Sequence, residues 1–349
     1  MKPIDPGHID RILIRAANWV GDAVMSTPLI RGLRRNFPRA EIAVLAKPWV
    51  APVFENSPDI DRILIYDANG DHAGWQGRFR LCRNLRKDRF DLAVSVQNAM
   101  EAALIFFFAG IPRRLGYDTD GRRFLLTHPV RMNPATKKRH QIDYYLGILE
   151  GIRLPAIGRD LILRVSETER DRAEKFLQFQ GVNPDRRVIG INPGAAYGTA
   201  KRWPAERFAD LCRQIRSVDS DTAILVFGGP GEEALGEDIA DRVGRGCVNL
   251  CGKTRLREAI ALIGQCRLFI TNDSGLMHAA AALGIPQIAV FGPTDHTTTS
   301  PANPESIIVR RDTPCSPCLE PECPLGHHRC MRAVTVSSVF DIAREHLRP

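Results

Sequence analysis

The feature that most constrains this chain is a polar hinge set between an apolar strand and an apolar helix. Arg267-Leu268-Phe269-Ile270 reads as the strand and Thr271-Asn272-Asp273-Ser274-Gly275-Leu276-Met277-His278 as the hinge; the helix runs on through Leu283 until Gly284 and Pro286 stop it. Strand, tight turn and helix in succession form the unit from which parallel α/β sheets are wound. A helix that starts there leaves its first backbone N–H groups without partners and carries partial positive charge, so its mouth suits phosphate or pyrophosphate. Taken alone, the stretch also allows Asp273 or Ser274 to be no more than an N-cap.

A second hinge lies near the N-terminus. Arg11-Ile12-Leu13-Ile14-Arg15 runs into Asn18-Trp19-Val20-Gly21-Asp22 and then Ala23-Val24-Met25-Ser26-Thr27-Pro28-Leu29. Gly21 permits a sharp turn, and Asp22 falls at the carboxyl end of a strand, where open α/β sheets place their ligands. The spacing G-x-G-x-x-G is absent, as is a P-loop lysine pattern, which disfavours a nicotinamide enzyme or a P-loop ATPase.

The alternation continues along the chain. Strands are expected at 11–16, 41–46, 62–66, 91–96 and 113–117, with helices around 22–36, 76–88 and 99–109. A stretch near 151–166 lacks periodicity, and strands resume at 188–192, 222–227, 247–250, 267–271 and 287–291. For 349 residues this predicts two domains, 1–165 and 166–335, followed by a final helix within 336–349. Two such domains facing each other would bring the carboxyl ends of both sheets to one cleft, a favoured place for ligands.

Charge is unevenly divided. Residues 1–165 hold 26 Lys and Arg against 17 Asp and Glu, whereas 166–349 hold 22 against 23. Clusters such as Arg113 with Arg114 and Arg122 with Arg123 would attract phosphorylated sugars or anionic lipid headgroups, or else form solvated basic surface. No helix-turn-helix, RNP or zinc-finger pattern is present, so no nucleic-acid partner is expected. No apolar run approaches the roughly 20 residues of a membrane span. Asp5 and Asp10, with no apolar core before Ile12, do not make a signal peptide, and the chain reads as cytoplasmic.

In the second half, Pro193-Gly194-Ala195 leads through Thr199 to Lys201-Arg202-Trp203-Pro204. Backbone N–H groups at Gly194 and Ala195, with Lys201 as a point charge, would suit a diphosphate. Glu232 and Glu233 follow the strand that ends at Phe227; a carboxylate there accepts ribose hydroxyls or simply favours the start of a helix.

Together these motifs, Trp19-Val20-Gly21-Asp22, Ala200-Lys201-Arg202-Trp203-Pro204 and Asn272 to His278, resemble the ADP-heptose:lipopolysaccharide heptosyltransferases of glycosyltransferase family 9, and type II more than type I. The resemblance implies a GT-B fold, two Rossmann-like domains with parallel sheets facing a central cleft. The first domain would bind acceptor and the second ADP-heptose, with the last helix crossing back to the first. The implied reaction is inverting transfer of heptose from ADP-L-glycero-D-manno-heptose to the heptosyl-Kdo2-lipid A inner core of lipopolysaccharide. The resemblance makes Asp22 the base, an alternative being an N-cap, and Lys201 the cation that neutralises departing ADP. It puts Thr199, Asp273, Ser274, Gly275, Leu276, Met277 and His278 with Gly194, Ala195 and Glu232 at the donor, although His278 also fits a core histidine. Arg113, Arg114, Arg122 and Arg123 become acceptor contacts, and peripheral contact with the cytoplasmic face of the inner membrane follows from the acceptor. Types I and III, a non-catalytic nucleotide-sugar-binding protein and a metal or redox protein remain alternatives.

Cysteine usage fits that last alternative. Cys82, Cys212, Cys247, Cys251 and Cys266 are scattered among apolar elements, whereas Cys315, Cys318, Cys323 and Cys330 cluster with the spacing C-x2-C-x4-C-x6-C beside His327 and His328. Such a set ligates zinc or an iron–sulfur cluster, forms a redox disulfide, or packs as free thiols. No cofactor is expected for transfer itself, and four thiolates would leave no open position, so a metal here would be structural.

Overall fold

The computed structural model describes residues 4–182 and 186–347. The chain divides into two units, Met1–Arg164 and Val165–Pro349, each wound around a fully parallel six-stranded sheet.

In the first unit the strands are β1 Arg11–Arg15, β2 Glu41–Ala46, β3 Arg62–Ile65, β4 Leu92–Ser95, β5 Arg113–Tyr117 and β6 His128–Val130. Their order is β3-β2-β1-β4-β5-β6, and β1 pairs β2 from Arg11↔Glu41 and β4 from Ile12↔Leu92. β4 is buried along its whole length, and so is β1 after Arg11; this is why both read as unbroken apolar runs. The second unit repeats the winding with β7 Val188–Asn192, β8 Ala223–Val226, β9 Cys247–Asn249, β10 Leu268–Asn272, β11 Gln287–Val290 and β12 Ser306–Val309. Its order, β12-β11-β10-β7-β8-β9, matches the first sheet read from the opposite edge. Both are the doubly wound arrangement in which the strand order reverses between the first and fourth strands.

Two strands escaped the sequence reading. β6 and β12 are the edge strands of their sheets; β6 has three residues and contains Pro129, which is tolerated only where a missing N–H costs no ladder bond. The helix expected over 22–36 is two helices, Val20–Met25 and Thr27–Asn36, meeting at Ser26. Pro28 lacks the N–H that an unbroken helix would need, so a new first turn begins there.

The last helix, Val336–Glu345, packs on the core of the second unit. Its Val339 and Ala343, with Leu347 beyond it, enter the same core as Phe208, Cys212 and Ile215 of the helix Ala205–Val218. The approach is fixed by Trp203, whose buried Nε1–H donates to Val334 O at 2.9 Å, and by Arg207, which donates to Arg332 O at 2.5 Å. The amphipathic face of this helix is thus spent within the second unit.

Candidate active site

In each sheet the strand order reverses between two neighbouring strands, β1 and β4 in the first and β7 and β10 in the second. Loops leaving the carboxyl ends of such a pair diverge and open a ligand crevice. Asp22 follows β1; the Pro193–Trp203 loop follows β7; Asp273 follows β10.

At the second unit's switch point, Asn272 stitches the two loops together. Its Nδ2 donates to Pro193 O at 2.7 Å, and its Oδ1 accepts from Trp203 N at 3.1 Å. Asn192, the last residue of β7, donates to Ser274 Oγ at 2.6 Å. Ser274 therefore gives its hydroxyl to the sheet, and the helix Gly275–Ala282 carries no side-chain cap. Its first-turn N–H groups keep their capacity for an anion. In front of that helix stand Lys201 and Asp273, with Lys201 Nζ donating to Asp273 Oδ2 at 2.7 Å and Thr294 Oγ1 donating to the same oxygen at 2.8 Å. Lys201 also lies 5.0 Å from the Tyr197 ring centroid. A largely buried cation is thereby held at a helix mouth.

Not every expected donor residue offers what the sequence suggested. Ala195 N–H is taken by Glu232 Oε1 at 3.1 Å, and Glu232 also accepts from Gly229 N at 2.8 Å and from Arg202 at 3.3 Å. Glu232 thus acts here as a staple between two loops. Gly194 is where it is because a Cβ would stand 2.1 Å from Glu232 Oε1. Met277 is fully buried against Ala289 and Phe291, and partly buried Leu276 packs on the neighbouring core; these side chains serve the packing of the helix. His278 is buried on the same helix. Thr199 is exposed in the short turn Thr199–Lys201 that carries Lys201.

At the first unit's switch point, Asp22 lies in the first turn of the helix Val20–Met25, whose N-cap is Trp19. Asp22 is not the cap. Its Oδ1 accepts from Tyr145 Oη at 2.9 Å, and burial pushes the Tyr145 phenol well above its ordinary range, so the tyrosine keeps its proton and donates. In the segment that leads from β1 into this helix, Asn18 Oδ1 accepts from buried Arg15 at 2.9 Å, and Asn18 O accepts from Trp49 Nε1 at 2.9 Å. Burial pulls the Arg15 guanidinium down to about 10. Lys47, also buried, stands 4.0 Å from the Tyr66 ring centroid, and burial with Arg15 nearby lowers its affinity for a proton. Tyr145, Arg15 and Lys47 were missed because a tyrosine in a helix and cations beside apolar strands carry no motif.

Residues 78–329 match the model of glycosyltransferase family 9 (heptosyltransferase). The chain is 31% identical over 342 residues to lipopolysaccharide heptosyltransferase 2 of Escherichia coli K12, covering 95% of this chain and 97% of that one. The chain belongs to glycosyltransferase family 9. Lipooligosaccharide heptosyltransferase 2 of Haemophilus influenzae is 33% identical over 316 residues, covering 86% and 88%. Among solved structures, E. coli ADP-heptose lps heptosyltransferase II superposes with a TM-score of 0.81 at 29% identity, covering 97% of this chain and 98% of that one. The two doubly wound units are thus those of a GT-B enzyme.

Within this family 9 chain the four arginines expected at the acceptor separate. Arg122 is fully buried and donates to Tyr117 O at 2.9 Å, Ser95 Oγ at 3.1 Å, Gln97 O at 2.5 Å and Asn98 Oδ1 at 2.8 Å. Its donors are spent fixing the loop after β4, so it is scaffold for the switch point. Arg113 and Arg114 begin β5; in a parallel sheet that is the edge opposite Asp22, which follows the carboxyl end of β1. Arg114 also donates to Leu125 O and Ile111 O, both at 2.6 Å. Arg123 is exposed and paired with Asp118 at 3.4 Å.

Cys315, Cys318, Cys323 and Cys330, with His327 and His328, line one cavity of about 20 Å3. All nine cysteines are free thiols, so no disulfide closes this loop. Cys323 Sγ accepts from His328 N at 3.4 Å, and backbone amides of the following turn lower its pKa. Among the described residues, no group of three or more His, Cys, Asp or Glu is arranged to hold a metal ion. The same loop braces Lys201: Ala200 N donates to Pro321 O at 3.0 Å, Tyr197 Oη to Leu319 O at 3.2 Å, and a Cβ on Gly198 would stand 2.1 Å from Pro321 O.

Proposed function

We propose that this chain is the heptosyltransferase II of its cell, transferring L-glycero-D-manno-heptose from its ADP derivative to heptosyl-Kdo2-lipid A with inversion. The observation that carries the reading is Lys201, pinned 2.7 Å from Asp273 before an uncapped helix at a topological switch point. This combination suits a departing diphosphate. In the first unit, Asp22 supplies a carboxylate oriented by Tyr145.

In the proposed step, Asp22 takes the proton of the acceptor hydroxyl as its oxygen attacks the anomeric carbon. The bond from that carbon to the β-phosphate oxygen breaks, and ADP leaves with the electron pair. Lys201 and the N–H groups of Ser274, Gly275 and Leu276 compensate the charge that develops on it. Side chains and backbone dipoles cover each charge, so the proposed reaction uses no cofactor. The first unit holds the acceptor and the second ADP-heptose; no nucleic acid is involved.

Transfer by purified protein to heptosyl-Kdo2-lipid A, beside Kdo2-lipid A and a fully heptosylated core, tests the reading. Product on the first acceptor alone supports type II. Product on either of the others instead would reassign the chain to type I or III.

No helix among the described residues is long and apolar enough to cross a membrane. The proposed acceptor is lipid-anchored and the first unit is basic, which supports peripheral contact at the cytoplasmic face of the inner membrane. A structural zinc ion or iron–sulfur cluster on Cys315, Cys318, Cys323 and Cys330 is a separate proposal. Its support is four soft donors on one ion-sized cavity, and holding an ion would require the thiols to draw closer. Elemental analysis of the purified protein tests it.

A further inference from the structure

The helix Met100–Phe108 is apolar except for Glu101 in its first turn, whose carboxylate is held by Tyr66 at 2.5 Å and Arg78 at 3.0 Å; Ala102, Ala103, Ile105 and Phe106 account for its buried side. Past Glu101, which heads the same face and is neutralised by Arg78, the opposite side does not turn polar. Leu104, Phe107 and Phe108, at i, i+3 and i+4, form one stripe exposed by 37%, 48% and 58%. A surface helix ordinarily carries charge there. The turn Arg122–Leu125 packs against this helix and holds Phe124 out to solvent at 76% exposure. Contiguous exposed aromatics on one element mark a surface that something covers.

Basic groups edge this stripe. Arg114 lies 5.5 Å from the Phe107 ring centroid, and Arg86 donates to Phe108 O at 3.3 Å. Arg113 starts the strand that follows the helix, and exposed Arg123 adjoins Phe124. An apolar stripe ringed by guanidinium groups complements one kind of surface, acyl chains beneath anionic headgroups. Arginine suits that rim, because its guanidinium binds phosphate and stacks on aromatic rings. The charges that looked like acceptor contacts in the sequence thereby gain a different use.

We infer that the helix Met100–Phe108 and Phe124 form the surface by which this protein docks on an anionic phospholipid bilayer. The inference rests on the proposed function only for its purpose, since a lipid-anchored acceptor must be met at a membrane. Bulky aromatics enter the headgroup boundary while Arg113, Arg114 and Arg123 meet lipid phosphates.

The test is flotation of the full-length protein with vesicles of phosphatidylglycerol and phosphatidylethanolamine, beside vesicles of phosphatidylcholine alone. Wild type is expected to float with the anionic vesicles and to bind the neutral ones roughly 10-fold less. Phe107→Ser with Phe108→Ser should reduce anionic-vesicle partitioning by roughly 10- to 100-fold. Because both rings are exposed, the melting temperature and turnover of a delipidated core oligosaccharide should stay at the wild-type level. Arg113→Gln with Arg123→Gln should weaken binding and flatten its salt dependence.

Wild type that ignores anionic vesicles, or a double Phe variant that floats like wild type, would overturn the inference. So would loss of turnover on the delipidated acceptor, which would make the stripe part of the acceptor site. A wild-type dimer that Phe108→Asp converts to monomer, without vesicle binding, would assign the stripe to a second copy and equally overturn it. Flotation needs no catalysis, so failure of the heptosyltransferase reading would leave this result readable.

Discussion

Tyr145 Oη donates to Asp22 Oδ1 across 2.9 Å, joining residues 123 positions apart and giving the carboxylate at the first switch point a fixed direction. Tyr145 is buried on the helix Gln141–Glu150, so it aims Asp22 through that hydrogen bond. Asp22→Asn should lower kcat by about 10²–10⁴-fold, the scale of general-base assistance. Tyr145→Phe keeps the ring and loses one hydrogen bond to a charged group, so a roughly 10-fold loss of kcat is expected. ADP-heptose affinity should not move in either variant. Equal losses in donor affinity and turnover would show instead that the pair supports folding of the site.

Lys201 and Asp273 offer a way to separate structure from chemistry. Both are largely buried, so Lys201→Met leaves a carboxylate without its cation and should cost about 3 kcal/mol of stability. Lys201→Met with Asp273→Asn removes both charges and should recover most of that loss in urea unfolding. Affinity for ADP is expected to fall in both variants by roughly 10- to 100-fold. A double variant that regains ADP binding together with stability would show that Lys201 only neutralises Asp273.

Glu169 caps the helix Glu167–Phe179 with Ser166 and takes two hydrogen bonds from Arg257, at 2.7 and 2.6 Å. The Arg257 hydrogen bonds, above all, hold its pKa at about 2. The native state therefore favours the ionised form; the stabilisation is complete above the unfolded pKa of about 4.3 and disappears as pH falls through about 2. Arg257→Met should lower the urea midpoint of the second unit by a constant amount from pH 8 to pH 5. Below about pH 4.3 the gap to wild type should narrow. A gap that widened on acidification would contradict the linkage.

Much of this was legible because parallel strands buried on both faces announce themselves as apolar runs. β1, β7 and β10 with the polar hinges after them located Asp22, Lys201 and Asp273 without any contact information. Roles that depend on distant partners were illegible. Nothing local tells that Arg122 is buried and Arg123 exposed, since the difference lies in Tyr117, Ser95, Gln97 and Asn98 receiving one and not the other. Strand direction also mattered. Arg113 and Arg114 gained an acceptor role from charge alone, while the register of β5 with β4, beginning at Leu92↔Arg113, puts them at the wrong edge. The last helix shows the same limit, because its apolar face fits any core and only Trp203 and Arg207 specify which.

Thiol reactivity reads out the contrast between the cysteine loop and the cores. Burial raises the pKa of Cys212 and Cys266, and pushes Cys251 to about 12, so these thiols are protonated and sealed at neutral pH. Cys323 instead accepts backbone N–H groups that favour its thiolate. Iodoacetamide at pH 7, followed by peptide mass spectrometry, should modify Cys323 before any of those three, which should react only after unfolding. If the proposed ion is bound, Cys323 should resist the reagent until a chelator removes the metal, and the same treatment should then loosen the Lys201 loop and weaken ADP binding. Modification of Cys212 or Cys266 at the rate of Cys323 would mean that the second unit opens far more readily than its packing implies.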